Sequence, residues 1–318
     1  MTHPPAPHPN PLPASGEREF APAPHSNPLP ASGQRETSVA AAFVAACEAE
    51  LAAPKPGNVH HFAPGHGMEA KDFVDSARAA APFIAAQGAS VGERILGAVE
   101  ATWAAVGQNT NLGIVLLCAP LAHATLTAES DDLRRETGRV LGALDMKDAD
   151  AAFRAISRAS PAGLGSAEAH DVAGPADVTL LEAMRASADR DRIGYQYASG
   201  FEDIFDTGLG ALQRARTRGH NAPRATLEVY MAFLAAFPDS HIARKYGLET
   251  AHAVRAEAAD VALEIEGATR DAAFALALAY DRKLKENRLN PGTSADLTVA
   301  VLFADSLQPL LASARKNG

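Results

Sequence analysis

Aromatic residues make up only 6% of this 318-residue chain, and one of them is a tryptophan. A core must therefore come mainly from Ala, Leu, Val and Ile, and one large helical domain fits that supply. Cysteine is nearly missing. Cys47 and Cys118 sit in Ala-rich or aliphatic runs, which reads as two buried thiols in a reducing compartment and not as a disulfide. Positive charge is in deficit, with 29 Lys and Arg against 38 Asp and Glu. The net charge of −9 provides no basic field for nucleic acid or an anionic membrane, so a phosphate-rich ligand must find cations locally. Long apolar runs are lacking too. The most apolar, Ile114 to Ala124, carries Pro120 and His123 and is far shorter than the roughly 20 residues a bilayer requires. With no apolar signal core at the N-terminus either, the expectation is a cytoplasmic protein without a membrane segment.

Alternating, β-branched segments are equally scarce. Ile114-Val115-Leu116-Leu117 is the one strand-like run, and its continuation into Cys118-Ala119 after a polar entry favours a buried helix. A doubly wound α/β fold needs several such runs and is excluded.

What is present divides in two. Residues 1–36 are rich in Pro, Ala, Ser and His and hold a near-duplicate phrase, PHPNPLPASGERE from Pro7 and PHSNPLPASGQRE from Pro24. Such a stretch cannot bury enough surface to offset its chain entropy, so a disordered tail is expected. Residues 37–318 are expected to form a single compact all-α, multi-helix domain. Ser38 to Ala53 reads as a helix stopped by Pro54. Ser90 with Glu93, and Thr179 with Glu182, have capping-box spacing before apolar residues. Further helices are expected at about 70–86, 112–127, 131–144, 148–159, 201–218, 224–237, 249–264, 270–286 and 294–314.

Polar, glycine-bearing junctions between these helices are where a chain can aim backbone and side chains at a ligand. In Pro54-Lys55-Pro56-Gly57-Asn58-Val59-His60-His61, two prolines fix a loop that would hold the Lys55 ammonium in place as a phosphate partner. His60, His61 and His66 lack a Cys partner or zinc spacing. Gly107 to Gly113 opens the apolar helix with Asn109, Thr110 and Asn111, suited to sugar hydroxyls and an anion at a helix start. Capping alone would explain one of these polar residues and not three. Asp171 precedes Arg190-Asp191-Arg192, and Asp203 and Asp206 fall within one turn, where like charges repel unless a cation such as Mg²⁺ relieves them. Arg244 and Lys245 give adjacent positive charges, and Asn290-Pro291-Gly292-Thr293-Ser294-Ala295-Asp296 makes a tight turn into the last helix.

At these junctions the chain resembles the triphosphoribosyl-dephospho-CoA synthase family. The matching phrases are KPGNVH from Lys55, NTNLGIVLL from Asn109 and NPGTSADL from Asn290, supported by DVTLLEAM, RDRIGYQY, FEDIF and PDSHIARKYG. They follow the family's order from about Ser38 to Ala314. Where synthases of citrate lyase and malonate decarboxylase maturation read NTHKG and PGGSADL, this chain has NTNLG and PGTSADL, closer to a branch linked to tetrahydromethanopterin and one-carbon metabolism.

The resemblance implies that ATP donates its 5-triphosphoribosyl group to the 2′-hydroxyl of 3′-dephospho-CoA and releases adenine. A β-linked donor and an α-linked product imply one inverting displacement, in which a base takes the hydroxyl proton and a carboxylate faces oxocarbenium character at C1′. Lys55, Arg244 and Lys245 are then expected on the triphosphate, with Mg²⁺ on Asp203 and Asp206. Asn58, Asn109 and Asn111 would orient sugar hydroxyls, and Thr110, Asn290, Thr293 and Ser294 complete the ATP-binding set. Asp171, Asp191 and Asp296 are the catalytic candidates, and the sequence does not choose among them. Two other readings stand beside this one: the same donor with a related cofactor precursor as acceptor, and a non-catalytic nucleotide-binding helical protein. A homodimer is left open.

Overall fold

A computed structural model describes residues 32–159 and 174–314. The fold is all-α. Among the described residues there are fourteen α-helices and one π-helical turn, and the only β pairing is two isolated bridges, His60 with Ala63 and Gly65 with Met68. In chain order the helices are α1 (Ser32–Leu51), α2 (Ala70–Ile84), α3 (Val91–Val106), α4 (Leu112–Leu126), α5 (Leu133–Gly142), α6 (Met146–Ala159), α7 (Leu180–Ser187) and α8 (Arg192–Ser199). The π turn, Asp203–Gly208, runs directly into α9 (Leu209–Thr217). Then follow α10 (Ala222–Ala236), α11 (Ser240–Tyr246), α12 (Leu248–Gly267), α13 (Arg270–Glu286) and α14 (Gly292–Ala314).

The local chemistry of the helix starts is as the sequence predicts. Ser90 and Glu93 form a reciprocal capping box on α3, and Thr179 and Glu182 do the same on α7. α4 is apolar on every side and buried on every side, the mark of a central helix, and the strand-like Ile114-Val115-Leu116-Leu117 lies inside it. Three expectations change. α1 begins at Ser32, so Ser32 to Glu36, assigned by composition to the tail, belong to a helix; residues 1–31 of that tail lie outside the described residues. RDRIGYQY and SHIARKY, read as junctions, are the short helices α8 and α11, each started by an aspartate that caps two N–H groups. Lastly, Gly292–Ala312 is long and apolar enough, by length and composition, to cross a membrane, which the apolar-run search did not flag. In the fold that stretch is mostly buried against α1, α4 and α10, as expected of a core helix.

The buried apolar residues form two clusters. The larger joins α1 to α6 with α14, where Phe303 meets Phe43 edge-on at 5.8 Å. Burying a side chain of this size stabilises the fold by roughly 1.5–3 kcal/mol. The smaller joins one face of α10 to α11, α12 and α13. Helices α10 and α14 belong to both, since Ala295 packs in the smaller cluster and Leu297 in the larger. The N-terminus of α14 therefore lies at the seam, where the polar junctions meet.

Candidate functional site

The loop after α1 forms one wall. Gly57 has φ of +81°, and a Cβ there would lie 2.7 Å from Pro291 Cδ and 2.8 Å from the Leu289 carbonyl, so glycine lets the loop seat against the turn before α14. Its N–H donates to Asp281 Oδ1 at 2.8 Å, and the Tyr230 hydroxyl donates to the Pro56 carbonyl at 2.6 Å. Asp281 is buried and also accepts from Lys285 at 3.0 Å, with His60 Nε2 at 3.4 Å. Burial opposes its charge, but His60 and Lys285 overcome that and hold the carboxyl below its ordinary range.

Lys55 is fully buried within this wall. Its ammonium is ion-paired to Glu50 and donates to Asn58 Oδ1 at 3.0 Å and the Val59 carbonyl at 2.7 Å. All three of its donors are engaged, so the phosphate contact expected of Lys55 is not made available here; the residue fastens the loop to α1. Burial pushes Lys55 down and Glu50 up toward their neutral forms, and each one's charge resists. The network then crosses to the last turn, because Asn58 Nδ2 donates to Asn290 Oδ1 at 2.8 Å.

Beyond Asn290, the turn into α14 is tied to α11. Asp239 is buried and its Oδ1 caps α11, accepting from His241 N at 2.9 Å and Ile242 N at 3.2 Å. Its Oδ2 accepts from both the N–H and the hydroxyl of Ser294 at 2.8 Å. Thr293 and Ser294 are buried, so this part of the ATP-binding set forms framework. The same short helix reaches α8. Ser240 Oγ accepts from Arg192 N at 2.8 Å, and Arg244 donates to Asp191 Oδ2 at 3.3 Å. Lys245 is exposed, its ammonium 5.3 Å from the Tyr246 ring centre.

The start of α4 supplies the third side. Asn109 Oδ1 accepts from Leu112 N at 3.1 Å, the Thr110 hydroxyl meets Ser76 of α2 at 2.6 Å, and Asn111 Nδ2 donates to Thr102 of α3 at 3.0 Å. All three polar residues thus have protein partners. Capping accounts for the first, and anchoring of the loop to α2 and α3 accounts for the other two. What this anchoring presents is Gly113. A Cβ there would overlap Asp296 Oδ2 and lie 2.6 Å from Asp296 Cγ and 2.9 Å from Ile193 Cδ1, so α4, α8 and α14 touch at one point.

At that point sits Asp296, partly exposed, with no hydrogen bond or ion pair from the described residues. It lies deep enough that burial raises its proton affinity well above that of an ordinary carboxylate. Asp239, Glu50 and Asp191 raise it further, and Lys55 pulls the other way. Of the three catalytic candidates, Asp191 is engaged as the α8 cap and with Arg244, while Asp171 lies outside the described residues. A partly exposed carboxyl poised to hold or take a proton is what acid–base chemistry requires.

The two carboxylates expected to hold Mg²⁺ face apart. Asp203 takes a two-point ion pair from Arg192, at 2.7 and 2.8 Å, and Asp206 takes another from Arg134, at 2.6 and 2.9 Å. Arginine relieves the like-charge repulsion for which a metal was invoked. Among the described residues no three His, Cys, Asp or Glu side chains are grouped to hold a metal ion, and Asp203 and Asp206, each taken up by an arginine, do not fit the Mg²⁺ site expected of them.

Two cavities, of 890 and 350 Å³, lie elsewhere, the first walled by Trp103, Phe153 and Arg158 and the second by Ser90, His123 and Arg139. The convergence at the start of α14 belongs to neither. Residues that sequence reasoning passed over there include Glu50, Asp239, His241 and Asp281. Asp239 carried a readable signal, an aspartate just ahead of Ser-His-Ile, but Asp281 is separated from its loop by more than two hundred residues and gave none.

Comparison with known proteins adds an independent finding. The model of the ATP:dephospho-CoA triphosphoribosyl transferase family matches residues 36–314. The chain belongs to that family. A Pseudomonas savastanoi pv. phaseolicola protein named as a probable 2-(5''-triphosphoribosyl)-3'-dephosphocoenzyme-A synthase is 31% identical over 116 residues, 36% of this chain and 40% of the relative. The Klebsiella pneumoniae 2-(5''-triphosphoribosyl)-3'-dephosphocoenzyme-A synthase is 31% identical over 106 residues, 33% of this chain and 38% of the relative. These alignments span well under half of each curated relative. The crystal structure of a triphosphoribosyl-dephospho-CoA synthase candidate from Archaeoglobus fulgidus superposes with a TM-score of 0.57 at 24% identity, covering 72% of this chain and 95% of that one, a likeness of fold.

Proposed function

We propose that this family member transfers the 5-triphosphoribosyl group of ATP to the 2′-hydroxyl of 3′-dephospho-CoA, releasing adenine, where the polar junctions converge at the start of α14. The observation that carries the reading is Asp296, a partly exposed carboxyl without a partner among the described residues and with raised proton affinity, set where α4, α8 and α14 meet. In a single inverting displacement the acceptor oxygen forms a bond to C1′ as the bond to adenine breaks, and the acceptor proton must go to a base. Asp296 is that base. In its ionised form it takes the proton and shields the developing positive charge at C1′. Arg244 and Lys245, on the adjacent short helix, meet the triphosphate. Lys55, Asn58, Thr110, Asn111, Thr293 and Ser294 hold the loops in register from within. The reaction is placed in the cytoplasm, with ATP entering as its magnesium complex.

The test is incubation with ATP, Mg²⁺ and dephospho-CoA, followed by mass analysis. Free adenine together with a coenzyme enlarged by triphosphoribose is expected; ATP left intact refutes the reading. One observation favours a related cofactor precursor as acceptor. Where citrate lyase and malonate decarboxylase synthases carry His-Lys, this chain has Asn111, buried against Thr102, and Leu112, packed on the core. Adenine release with a pterin-type acceptor and none with dephospho-CoA would select that alternative.

A further inference from the structure

His241 has no part in the reading above, yet it lies against the start of α14. Its ring is half-buried, with Nδ1 only 3.3 Å from where a Cβ on Gly292 would sit, at the first residue of α14. Its backbone N–H is fixed by Asp239, but its ring forms no hydrogen bond with the described residues. Three basic groups surround it: Arg244 and Lys245 on its own helix, and His66 from the loop before α2. Asp191, the cap of α8, counters them.

The placement of His66 is itself unusual. It holds φ of +55°, a left-handed conformation uncommon outside glycine, and its Nε2 bonds the Gly57 carbonyl at 2.8 Å. Strained backbone where loops converge is an observation that calls for a functional reason. Burial first, and then Arg244 and Lys245, push the His241 ring down to about 4. An anion that compensates Arg244 and Lys245 removes the second cause and supplies an acceptor for a ring N–H.

We infer that His241 is a contact of the polyphosphate site, its ring taking a proton from solvent as a chain of phosphates settles beside Arg244 and Lys245. Only a ring N–H bond is formed, and no bond between heavy atoms is made or broken. The inference rests on the proposed placement of the ATP triphosphate, and it adds the group that couples nucleotide binding to pH.

Calorimetric titration of the full chain with inorganic tripolyphosphate, repeated in two buffers of different ionisation enthalpy, reads the proton uptake directly. Wild type is expected to take up more protons than His241→Asn, with His66→Asn retaining most of the uptake. Across about pH 5.5 to 7.5 the wild-type affinity should fall several-fold more than that of His241→Asn, as linkage requires. Equal uptake in wild type and His241→Asn overturns the inference. Should His241→Asn fail to fold, NMR titration of the His241 ring in the wild-type chain replaces it: an upward shift on adding tripolyphosphate supports the inference, and no shift overturns it. Uptake with dephospho-CoA but with neither tripolyphosphate nor ATP also overturns it, because the phosphates held there would be the acceptor's. Adenine release, measured separately, keeps these failures distinct from failure of the transferase reading itself.

Discussion

Two groups of polar side chains around the start of α14 are treated in opposite ways. Lys55, Asn58, Asn111 and Ser294 are buried and each is bonded inward. The side chains of Asp296 and His241 are partly exposed and without hydrogen bonds from the described residues, and Lys245 faces solvent. A buried polar group without a partner is costly, so the first group is satisfied from within and acts as framework. The second keeps its hydrogen-bonding capacity for something else. Polar residues in a junction phrase are therefore of two kinds, and burial with partners tells them apart.

The sharpest way to break the contrast is at Lys55. Lys55→Met leaves the buried Glu50 without its cation and should destabilise the fold by about 3–5 kcal/mol in urea unfolding, whereas a Lys55→Met, Glu50→Leu double variant should recover most of that. If Lys55→Met instead left stability unchanged and abolished tripolyphosphate binding, the framework assignment would be wrong.

Asp296→Asn should behave oppositely, lowering kcat by roughly 10²- to 10⁴-fold with the fold intact. Its pH dependence has a definite sign. The raised affinity means that the folded state keeps the proton above the ordinary carboxylate value, where the unfolded chain has released it. Stability of wild type should therefore fall as pH rises from that ordinary value to the raised one, and Asp296→Asn should flatten that slope in pH-dependent unfolding. Activity of wild type should rise over the same interval as the base ionises.

Gly113→Ala sharpens the comparison more gently. The new methyl must displace the end of the short Asp296 side chain, so a fall in kcat of about 10²-fold with little change in melting temperature is expected. Unchanged kcat would remove Asp296 from the chemistry. The smallest effect belongs to Asp206→Ala, which loses an exposed pair with Arg134. A stability loss below about 1 kcal/mol and an unaltered magnesium dependence of turnover are expected; a large shift in that dependence would restore Asp206 as a metal ligand.

Much of this was legible beforehand, and particular residues show why. Pro54 ends the first helix, and Ser90 with Glu93 and Thr179 with Glu182 open others; each effect acts within one turn and needs no tertiary partner. The short helices α8 and α11 escaped because their phrases are polar and too brief to show a period, although Asp191 and Asp239 marked their starts. The metal expectation went astray because sequence spacing brings Asp203 and Asp206 together but cannot show Arg192 and Arg134 arriving from elsewhere.

The sequence by itself determined the helical class, most helix boundaries, the family phrases and the set of junctions where chemistry could sit, since propensity, capping and periodicity are local. Only the tertiary structure decided which members of that set are bonded inward and which are left without partners among the described residues. Lys55 turned inward because Glu50 and two loop acceptors enclose it, and Asp296 was singled out because α4, α8 and α14 meet around it. Burial and electrostatics depend on residues brought together from across the chain, and that assembly is what gives the same side chains different roles.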